Sequence, residues 1–502
     1  LKKAIEDKKR MIPFKIPIYS EGKEKTTEEV LLHKNPSQFK EVISQVSLSN
    51  PDIAEKAIQA SQKAYSTWKK TSVDLRSDLL LKLANLINEK RYDLIATQVL
   101  EVGKPWAEAD ADIAEAIDFC RYYAADIKNI GKPKKVGGVP GEASFYSYKS
   151  RGVAVVIAPW NFPLAIITGM AAAALATGNT VILKPAEQSS LVAWELMKMI
   201  QQVGFPENVV QFLPGLGEVV GEYLVNHPLT TTIAFTGSKA VGLHILKKAN
   251  TVQNSQVHVK KCIIEMGGKN AIIIDNDADL DEAVSGVLYS AFGFSGQKCS
   301  ACSRAIVVEE VYDRFNQRLV EAVKSITQAS AESPKSYLGP VIDQEAYERI
   351  QKTIMDSESK HKLLFKGQAI EGGYYIPPTI FSDVDPKSEL ALSEIFGPVL
   401  AIIKAKNLTE AITIANGTDY ALTGGLFSRS PENIEQVKSE FEVGNLYINR
   451  GITGAMVDRH PFGGFKMSGV GSKTGGPDYL KQFLEPICIT ENTMRRGFAP
   501  VE

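Results

Sequence analysis

Cys299 lies in the stretch Phe292-Gly293-Phe294-Ser295-Gly296-Gln297-Lys298-Cys299-Ser300-Ala301, where the small residues Gly296 and Ala301 let a substrate carbonyl approach the thiol closely. The segment Glu265-Met266-Gly267-Gly268-Lys269 begins 34 positions upstream and supplies a carboxylate followed by two glycines. A nucleophilic thiol with a separate carboxylate base is the equipment for thioester chemistry. Taken singly, each residue has a plainer reading, the cysteine as a small buried hydrophobe and the glutamate as a solvated charge. Glu265, however, follows the apolar run Cys262-Ile263-Ile264 and precedes a Gly-Gly turn. That places it at the end of a core strand, where α/β enzymes build their sites. Cys302 makes a C-x-x-C with Cys299, but a zinc site would need two further ligands. The histidines (33, 227, 244, 258, 361 and 460) show no paired spacing, so no metal is expected, and Cys302 reads as packing, like Cys120, Cys262 and Cys488.

The elements that must position these groups follow from hydrophobic periodicity. From about 51 to 125 the pattern is helical, with Asp52 opening a run that ends near Lys70 and with Leu75, Leu79, Leu83 and Leu86 on a helical repeat. From 151 short β-branched runs (Gly152–Ile157, Thr180–Leu183, Val209–Leu213, Thr231–Phe235) alternate with helical segments (Leu164–Thr177, Ser189–Val203, Glu218–Asn226). Strands apolar on both faces, alternating with helices, predict a doubly wound parallel sheet. A second α/β unit runs from about 263 to 450, with strands at Ala271–Ile274, Arg304–Val308, Leu400–Lys404 and Asn445–Asn449. Between the helical and α/β regions, residues 131–150 carry Gly-Gly and Pro-Gly punctuation and an alternating run, Ser144-Phe145-Tyr146-Ser147-Tyr148, which reads as a projecting hairpin.

The 502 residues are enough for about three domains. Net charge is −1, from 57 basic and 58 acidic residues, which gives no case for a nucleic-acid partner or an anionic membrane. The 32 uncharged residues between Arg151 and Lys184 are interrupted by Pro159, Asn161 and Pro163, too early for a membrane span. Five scattered cysteines suit free thiols in a reducing compartment, the cytoplasm, better than a disulfide framework. No signal peptide is visible at the start, and the chain opens on Leu1 rather than Met, as a piece of a longer chain would.

Gly215-Leu216-Gly217-Glu218-Val219-Val220-Gly221 has the spacing G-x-G-x-x-x-G after the third strand, a weak match to a dinucleotide fingerprint that also reads as a helix-opening turn. Phe235-Thr236-Gly237-Ser238 fits a pyrophosphate contact better. It leaves a strand and opens a helix, so Gly237 allows close approach while Ser238 and nearby N–H groups face the phosphates.

Gly-Gln-Lys-Cys-Ser-Ala and Glu-Met-Gly-Gly-Lys resemble the two signatures of the aldehyde dehydrogenase superfamily. Further matches follow in the family's order over roughly residues 40–490: Ala158-Pro159-Trp160-Asn161-Phe162-Pro163, Lys184-Pro185-Ala186-Glu187, Phe235-Thr236-Gly237-Ser238, Glu394-Ile395-Phe396-Gly397-Pro398 and Pro461-Phe462-Gly463-Gly464. The resemblance implies two doubly wound parallel α/β domains with a β-hairpin oligomerisation flap. An NAD-binding domain would comprise 1–130 and 151–262, a catalytic domain 263–450, the flap 131–150 with 477–502, and a substrate-anchoring loop 451–476. It also implies NAD as cofactor and a homo-oligomer, a dimer or a multiple of dimers. Cys299 would be the nucleophile, Glu265 the base that activates water, and Asn161 an oxyanion donor beside the Cys299 N–H. Lys184 and Glu187 would clasp the adenosine ribose, which unsupported they would not do, being as readily an ordinary surface ion pair. Glu394 and Phe396 would hold the nicotinamide ribose and ring, with Ile157, Ala158, Pro159, Trp160, Gly217, Gly221 and Phe235 as further cofactor contacts.

Within the superfamily, Asn449-Arg450-Gly451-Ile452-Thr453-Gly454-Ala455-Met456-Val457, Glu101-Val102-Gly103-Lys104-Pro105-Trp106 and Glu115-Ala116-Ile117-Asp118-Phe119 are similar to the branch acting on L-glutamate γ-semialdehyde. The backbone at Gly454 and Ala455 and the Ser300 hydroxyl would take the substrate carboxylate, Phe462 and Phe162 would wall its stem, and Glu115 would receive its ammonium. Each also reads as plain loop or helix structure, Glu115 as an exposed helical glutamate. Two alternatives stay open from the residues, another semialdehyde dehydrogenase of the superfamily and a non-catalytic homologue.

Overall fold

The strand-forming runs are apolar on both faces, and the chain buries both. In the computed structural model, which describes residues 1–368 and 370–494, Val153 and Val155 of the strand Val153–Ile157 enter one apolar cluster while Ala154 and Val156 enter another on the opposite side. Ile272 and Ile274 face away from Ala271 and Ile273 in the same way in a second sheet. Alternate residues pointing to opposite faces require helices on both sides, the arrangement of a doubly wound sheet.

The first sheet has eight strands, in the order Gly469–Val470, Lys261–Glu265, Thr230–Thr236, Val153–Ile157, Thr180–Lys184, Val210–Phe212, Ile18–Ser20 and Lys23–Lys25. Its central five are parallel, and antiparallel strands close it at each end. The second sheet has seven, in the order Lys362–Lys366, Thr379–Ser382, Val399–Ala405, Cys302–Val308, Asn270–Ile274, Thr423–Phe427 and Asn445–Ile448, parallel except for the first. The strand bearing Glu265 belongs wholly to the eight-stranded sheet, so the change of sheet comes after Glu265 rather than at residue 262 or 263. The two glycines after it, Gly267 and Gly268, carry the chain from one sheet to the other.

Four helices, Pro51–Trp68, Val73–Glu89, Arg91–Glu101 and Trp106–Ile130, fill the early region. The first is capped by Asn50, whose side chain accepts from the Ile53 N–H, and not by Asp52, which stands inside the first turn. Leu79, Leu83 and Leu86 are buried as the periodicity predicts, but Leu75 is exposed. The inward position of that turn is taken by Arg76, whose guanidinium donates to the Ala176 carbonyl at 2.8 Å. The segment before residue 51, for which periodicity gave no element, forms a three-stranded sheet (Phe14–Ile16, Gln38–Ser47, Val30–Asn35) and the last two strands at one edge of the eight-stranded sheet. The helix read at Glu218–Asn226 is divided into a π-helical turn, Gly217–Gly221, and the helix Glu222–Asn226.

Residues 131–150 contain the strand Lys134–Val136 paired antiparallel with Glu142–Ser150, and Leu484–Asn492 adds to the other side of the latter. The rest of the C-terminal part of the expected flap, 495–502, lies outside the described residues. No helix among the described residues is long and apolar enough to cross a membrane.

Candidate active site

The thiol is delivered by a left-handed turn. After the helix Leu280–Phe292, Phe294, Ser295 and Gly296 have φ values of 51°, 54° and 68°. Non-glycine residues in this region cost of order 1–3 kcal/mol each and persist only where the surroundings fix them. Here the Ser295 hydroxyl donates to the Gly339 carbonyl at 2.7 Å. The Gln297 amide donates to the Phe294 and Pro340 carbonyls, while its oxygen accepts from the Ile342 N–H at 2.9 Å. Gly296 is required by space as well, since a Cβ there would stand 2.3 Å from the Gly397 carbonyl oxygen.

Asn161 meets this turn from the segment that follows the strand Val153–Ile157 of the eight-stranded sheet. Its side-chain amide donates to the Gln297 carbonyl at 3.0 Å, which leaves a second N–H for an oxyanion beside Cys299. Its backbone carbonyl accepts from the buried Lys104 ammonium at 2.7 Å. That ammonium lies 3.7 Å from the Asp112 carboxylate and 3.9 Å from the centre of the Phe162 ring. Asp112 in turn accepts from the Leu164 and Ala165 N–H groups, which open the helix Ala165–Ala176, and from the Gln98 amide. Burial lowers the Lys104 ammonium and raises the Asp112 carboxyl, and each charge opposes the shift of the other. The pair is therefore a clamp on the turn Asn161–Ala165.

Cys299 is surrounded by groups that favour the neutral thiol. Desolvation pushes it up to about 12, with the Glu265 and Glu394 charges adding, and the Ser300 backbone N–H pulling down. Glu265 is pushed up to about 8 by desolvation, opposed by the Lys473 charge and the Gly464 N–H. One Glu265 carboxyl oxygen is buried without a hydrogen-bond partner among the described residues, a place for a water molecule.

Two cavities meet at Cys299. One is lined by Glu115, Phe162, Ser300, Gly454, Ala455 and Phe462, so the proposed substrate residues converge there, together with Glu265, Phe119, Thr474 and Tyr479. Gly454 has φ 76° and open space where a Cβ would stand. Glu115 is half-buried rather than exposed, and its carboxyl is pushed up to about 8, first by desolvation and then by Asp112. The other cavity runs from Cys299 and Asn161 past Pro159, Trp160, Glu394 and Phe396 to Gly237 and Ser238. The Phe396 and Trp160 rings meet edge to face at 5.7 Å, and Glu394 accepts from the Gly268 N–H at 3.0 Å. Further along the same sheet edge, the Lys184 ammonium donates to Glu187 at 2.8 Å, and the same carboxylate oxygen accepts from the Gly217 N–H at 2.9 Å. Gly217 and Gly221 lie beside this clasp, their Cβ positions 3.9 and 4.0 Å from Glu187 and Lys184, at ordinary contact distance. Ser238 caps the helix Lys239–Ala249, leaving its N-terminal N–H groups at the cavity end. These residues fit a dinucleotide: a diol clasp, an anion-binding helix end and an aromatic wall leading to the thiol.

Three of the sequence-derived cofactor residues stand apart. Phe235 is a core residue, its ring lying under Gly237 at 2.5 Å from where a Cβ would be, so it supports the turn and does not face the cleft. Ile157 and Ala158 close the strand end beneath the cleft, where the Ala158 N–H donates to the Lys184 carbonyl at 3.2 Å. Sequence reading named Glu115 but missed Glu108, Asp112 and Phe119, which share its face of the helix Trp106–Ile130 at helical spacing. Glu108 pairs with Lys298 at 2.7 Å, Asp112 with Lys104, and Glu115 and Phe119 line the cavity. Acidic residues adjoining an apolar stripe were the available signal. For Lys473 and Gln297 there was none.

The sequence profile of the aldehyde dehydrogenase family matches residues 23–488. The 1-pyrroline-5-carboxylate dehydrogenase of Anoxybacillus flavithermus is 45% identical over 476 residues, 95% of this chain and 92% of that protein. A Thermus 1-pyrroline-5-carboxylate dehydrogenase solved with bound NAD superimposes with a TM-score of 0.96 at 44% identity, covering 98% of this chain and 95% of that one. Proline utilization A from Bdellovibrio bacteriovorus gives a TM-score of 0.98 at 64% identity over all of this chain, which spans 52% of that longer one.

Removing one member of a buried ion pair leaves the other charge uncompensated, at a cost of about 3–5 kcal/mol. Asp112→Ala should therefore lower the free energy of unfolding by that amount, read as a lower urea midpoint, and loosen the Asn161 turn, whereas the paired replacement Lys104→Met with Asp112→Leu should recover much of the loss. An unchanged midpoint in Asp112→Ala would show that the pair does not clamp the turn.

Proposed function

The chain belongs to the aldehyde dehydrogenase family, and we propose that it oxidises L-glutamate γ-semialdehyde, the open form of 1-pyrroline-5-carboxylate, to L-glutamate with NAD, the second step of proline breakdown. The observation that carries the reading is the meeting of two cavities at Cys299, one shaped for a dinucleotide and the other lined by Glu115, Ser300 and the Gly454–Ala455 backbone.

The residues then act in sequence. The Cys299 thiol first gives its proton to the Glu265 carboxylate, which passes it to solvent; the sulfur then adds to the aldehyde carbon, and the carbonyl electron pair moves to oxygen, where the free Asn161 amide N–H and the Cys299 backbone N–H receive it. One such preorganised donor is worth about 3–4 kcal/mol in the transition state. Bound NAD supplies the hydride acceptor and a positive ring that offsets the charges disfavouring the thiolate. Hydride departure leaves a thioester on Cys299. Glu265, as carboxylate, takes a proton from water as the water oxygen attacks the thioester carbon, and the C–S bond breaks to release the acid and Cys299. The substrate carboxylate is held by Ser300 and the Gly454–Ala455 amides, and its ammonium by Glu115. The free thiols, among the described residues, suit the cytoplasm.

The unit works as a homo-oligomer. The strand Lys134–Val136 is wholly exposed, and Phe145 with its cross-strand partner Ile489 stands exposed on one face of the flap and Tyr146 on the other, an edge and apolar surface suited to a second copy. Light scattering should give at least a dimer at micromolar concentration; a 54.9 kDa species would refute it.

Glu265→Gln should retain acylation and stall deacylation, releasing up to one NADH per site before a slow steady state. Turnover at the wild-type rate would remove Glu265 from the role of base. Glutamate semialdehyde should be oxidised far more efficiently than an aldehyde of similar length without the amino-acid head. Charge-assisted hydrogen bonds contribute about 1.5–3 kcal/mol each, so losing one means roughly a ten- to hundredfold fall in kcat/KM. Ser300→Ala should show that fall with glutamate semialdehyde and spare propionaldehyde. An equal penalty on both would place Ser300 in support of the nucleophile and send the carboxylate site elsewhere.

A further inference from the structure

Lys473 lies behind the catalytic carboxylate on a short bridge, Phe462 with Thr474, that closes the segment 451–476. Its ammonium donates to the Gly463 carbonyl at 2.5 Å, the Gly444 carbonyl at 2.6 Å and the Asn445 side-chain oxygen at 3.1 Å. Asn445 completes the clamp, its amide donating to the Pro461 carbonyl at 2.9 Å and its oxygen accepting from the Gly463 N–H at 3.3 Å. The clamped turn, Pro461 to Gly464, carries the cavity wall Phe462 and rests directly on Glu265. A Cβ at Gly463 would stand 2.8 Å from a Glu265 carboxyl oxygen, and one at Gly444 would stand 2.0 Å from the Gly463 carbonyl oxygen. The turn cannot shift without moving the carboxylate's contact.

We propose that Lys473 is a positioning residue for the general base: its ammonium holds the Pro461–Gly464 turn against Glu265 and supplies the cation that faces this carboxylate. The proposal rests on Glu265 being the base. An ammonium has three N–H donors, and all three are engaged by the oxygens named above, so Lys473 acts through its charge and through the turn, not by passing a proton. The titratable and charged groups facing Glu265 are Cys299, Tyr479 and Lys473, with the Gly464 N–H beside them. Of these, Lys473 alone is a cation, and its field opposes the desolvation that raises the carboxyl; burial in turn lowers the ammonium, which Glu265 opposes.

Glu265 must be deprotonated to accept a proton, so the acid limb of the steady-state kcat profile follows its titration. Removing a cation raises that titration and moves the limb to higher pH. With propionaldehyde, which has no amine with which to cyclise, Lys473→Gln should move the limb upward by about 1 unit, the effect of losing one nearby opposite charge. Lys473→Arg should leave it in place. Lys473→Met should show the same shift together with a raised KM, because the Phe462 wall loses its clamp. A limb that stays at the wild-type pH in Lys473→Gln overturns the charge role, and a purely structural role would lower activity in all three variants without moving it. Gln keeps two donors for the carbonyls and so protects the fold; if that chain does not fold, a limb displaced in folded Lys473→Arg overturns the proposal equally. Glu265→Gln separates the two claims. If it turns over normally, the base assignment fails, and if it stalls after one NADH while the Lys473→Gln limb is unmoved, only the role of Lys473 fails.

Discussion

The Asn161 turn depends on a charge pair with no access to water. Lys104 and Asp112 are fully buried, and together they hold both ends of the turn that brings Asn161 to the thiol, one through the Asn161 carbonyl and the other through the first N–H groups of the following helix. Burying two charges is costly, and a hydrophobic pair of the same volume is often as stable. What the ions provide here is direction. Each terminates on backbone groups, so the turn is fixed by hydrogen bonds with defined geometry, and the Phe162 ring is fixed beneath the ammonium. The Asn161 amide is thereby aimed at the Gln297 carbonyl, on the turn that carries the nucleophile.

The same helix, Trp106–Ile130, orders the chemistry on both sides of the thiol. Its face of Glu108, Asp112, Glu115 and Phe119 touches the residue before the nucleophile, the oxyanion turn and the substrate cavity in succession. Of this face, Glu115 adds to the raising of the Cys299 thiol, behind desolvation and the Glu265 and Glu394 charges. Glu265, pushed up to about 8, is poised within reach of working pH, as a base that must take and return protons requires.

The left-handed backbone of the nucleophile turn is braced by hydrogen bonds. Two non-glycine residues and a glycine in left-handed conformation reverse the chain just before Cys299, and hydrogen bonds from Ser295 and Gln297 tie them to Gly339, Pro340 and Ile342. The thiol is thus presented from a loop with the rigidity of the sheet behind it, and the catalytic groups of two sheets stay in register at the place where the chain crosses from one to the other.

Much of this was legible in the sequence because it is local. Strands apolar on both faces announced two doubly wound sheets, since both faces must be covered and the alternating helices cover them. Cys299, Glu265 and the glycines beside them announced thioester chemistry, since small neighbours and strand ends mark where a substrate can reach. A strand-end residue next to a glycine turn, such as Phe235, can face its ring to the cleft or to the core, and only the packing under Gly237 decided where the ring lies. Leu75 was misread because a capped first turn gave its inward position to Arg76. The partners of Asp112, Lys473 and Gln297 were invisible for a different reason. Each pairs with groups far away in the chain, and no periodicity records which distant carbonyl will sit opposite a lysine. The residue types and spacing determined the fold class and the reacting atoms; the tertiary structure alone decided which buried charges aim them, because that depends on contacts formed only when the two sheets meet.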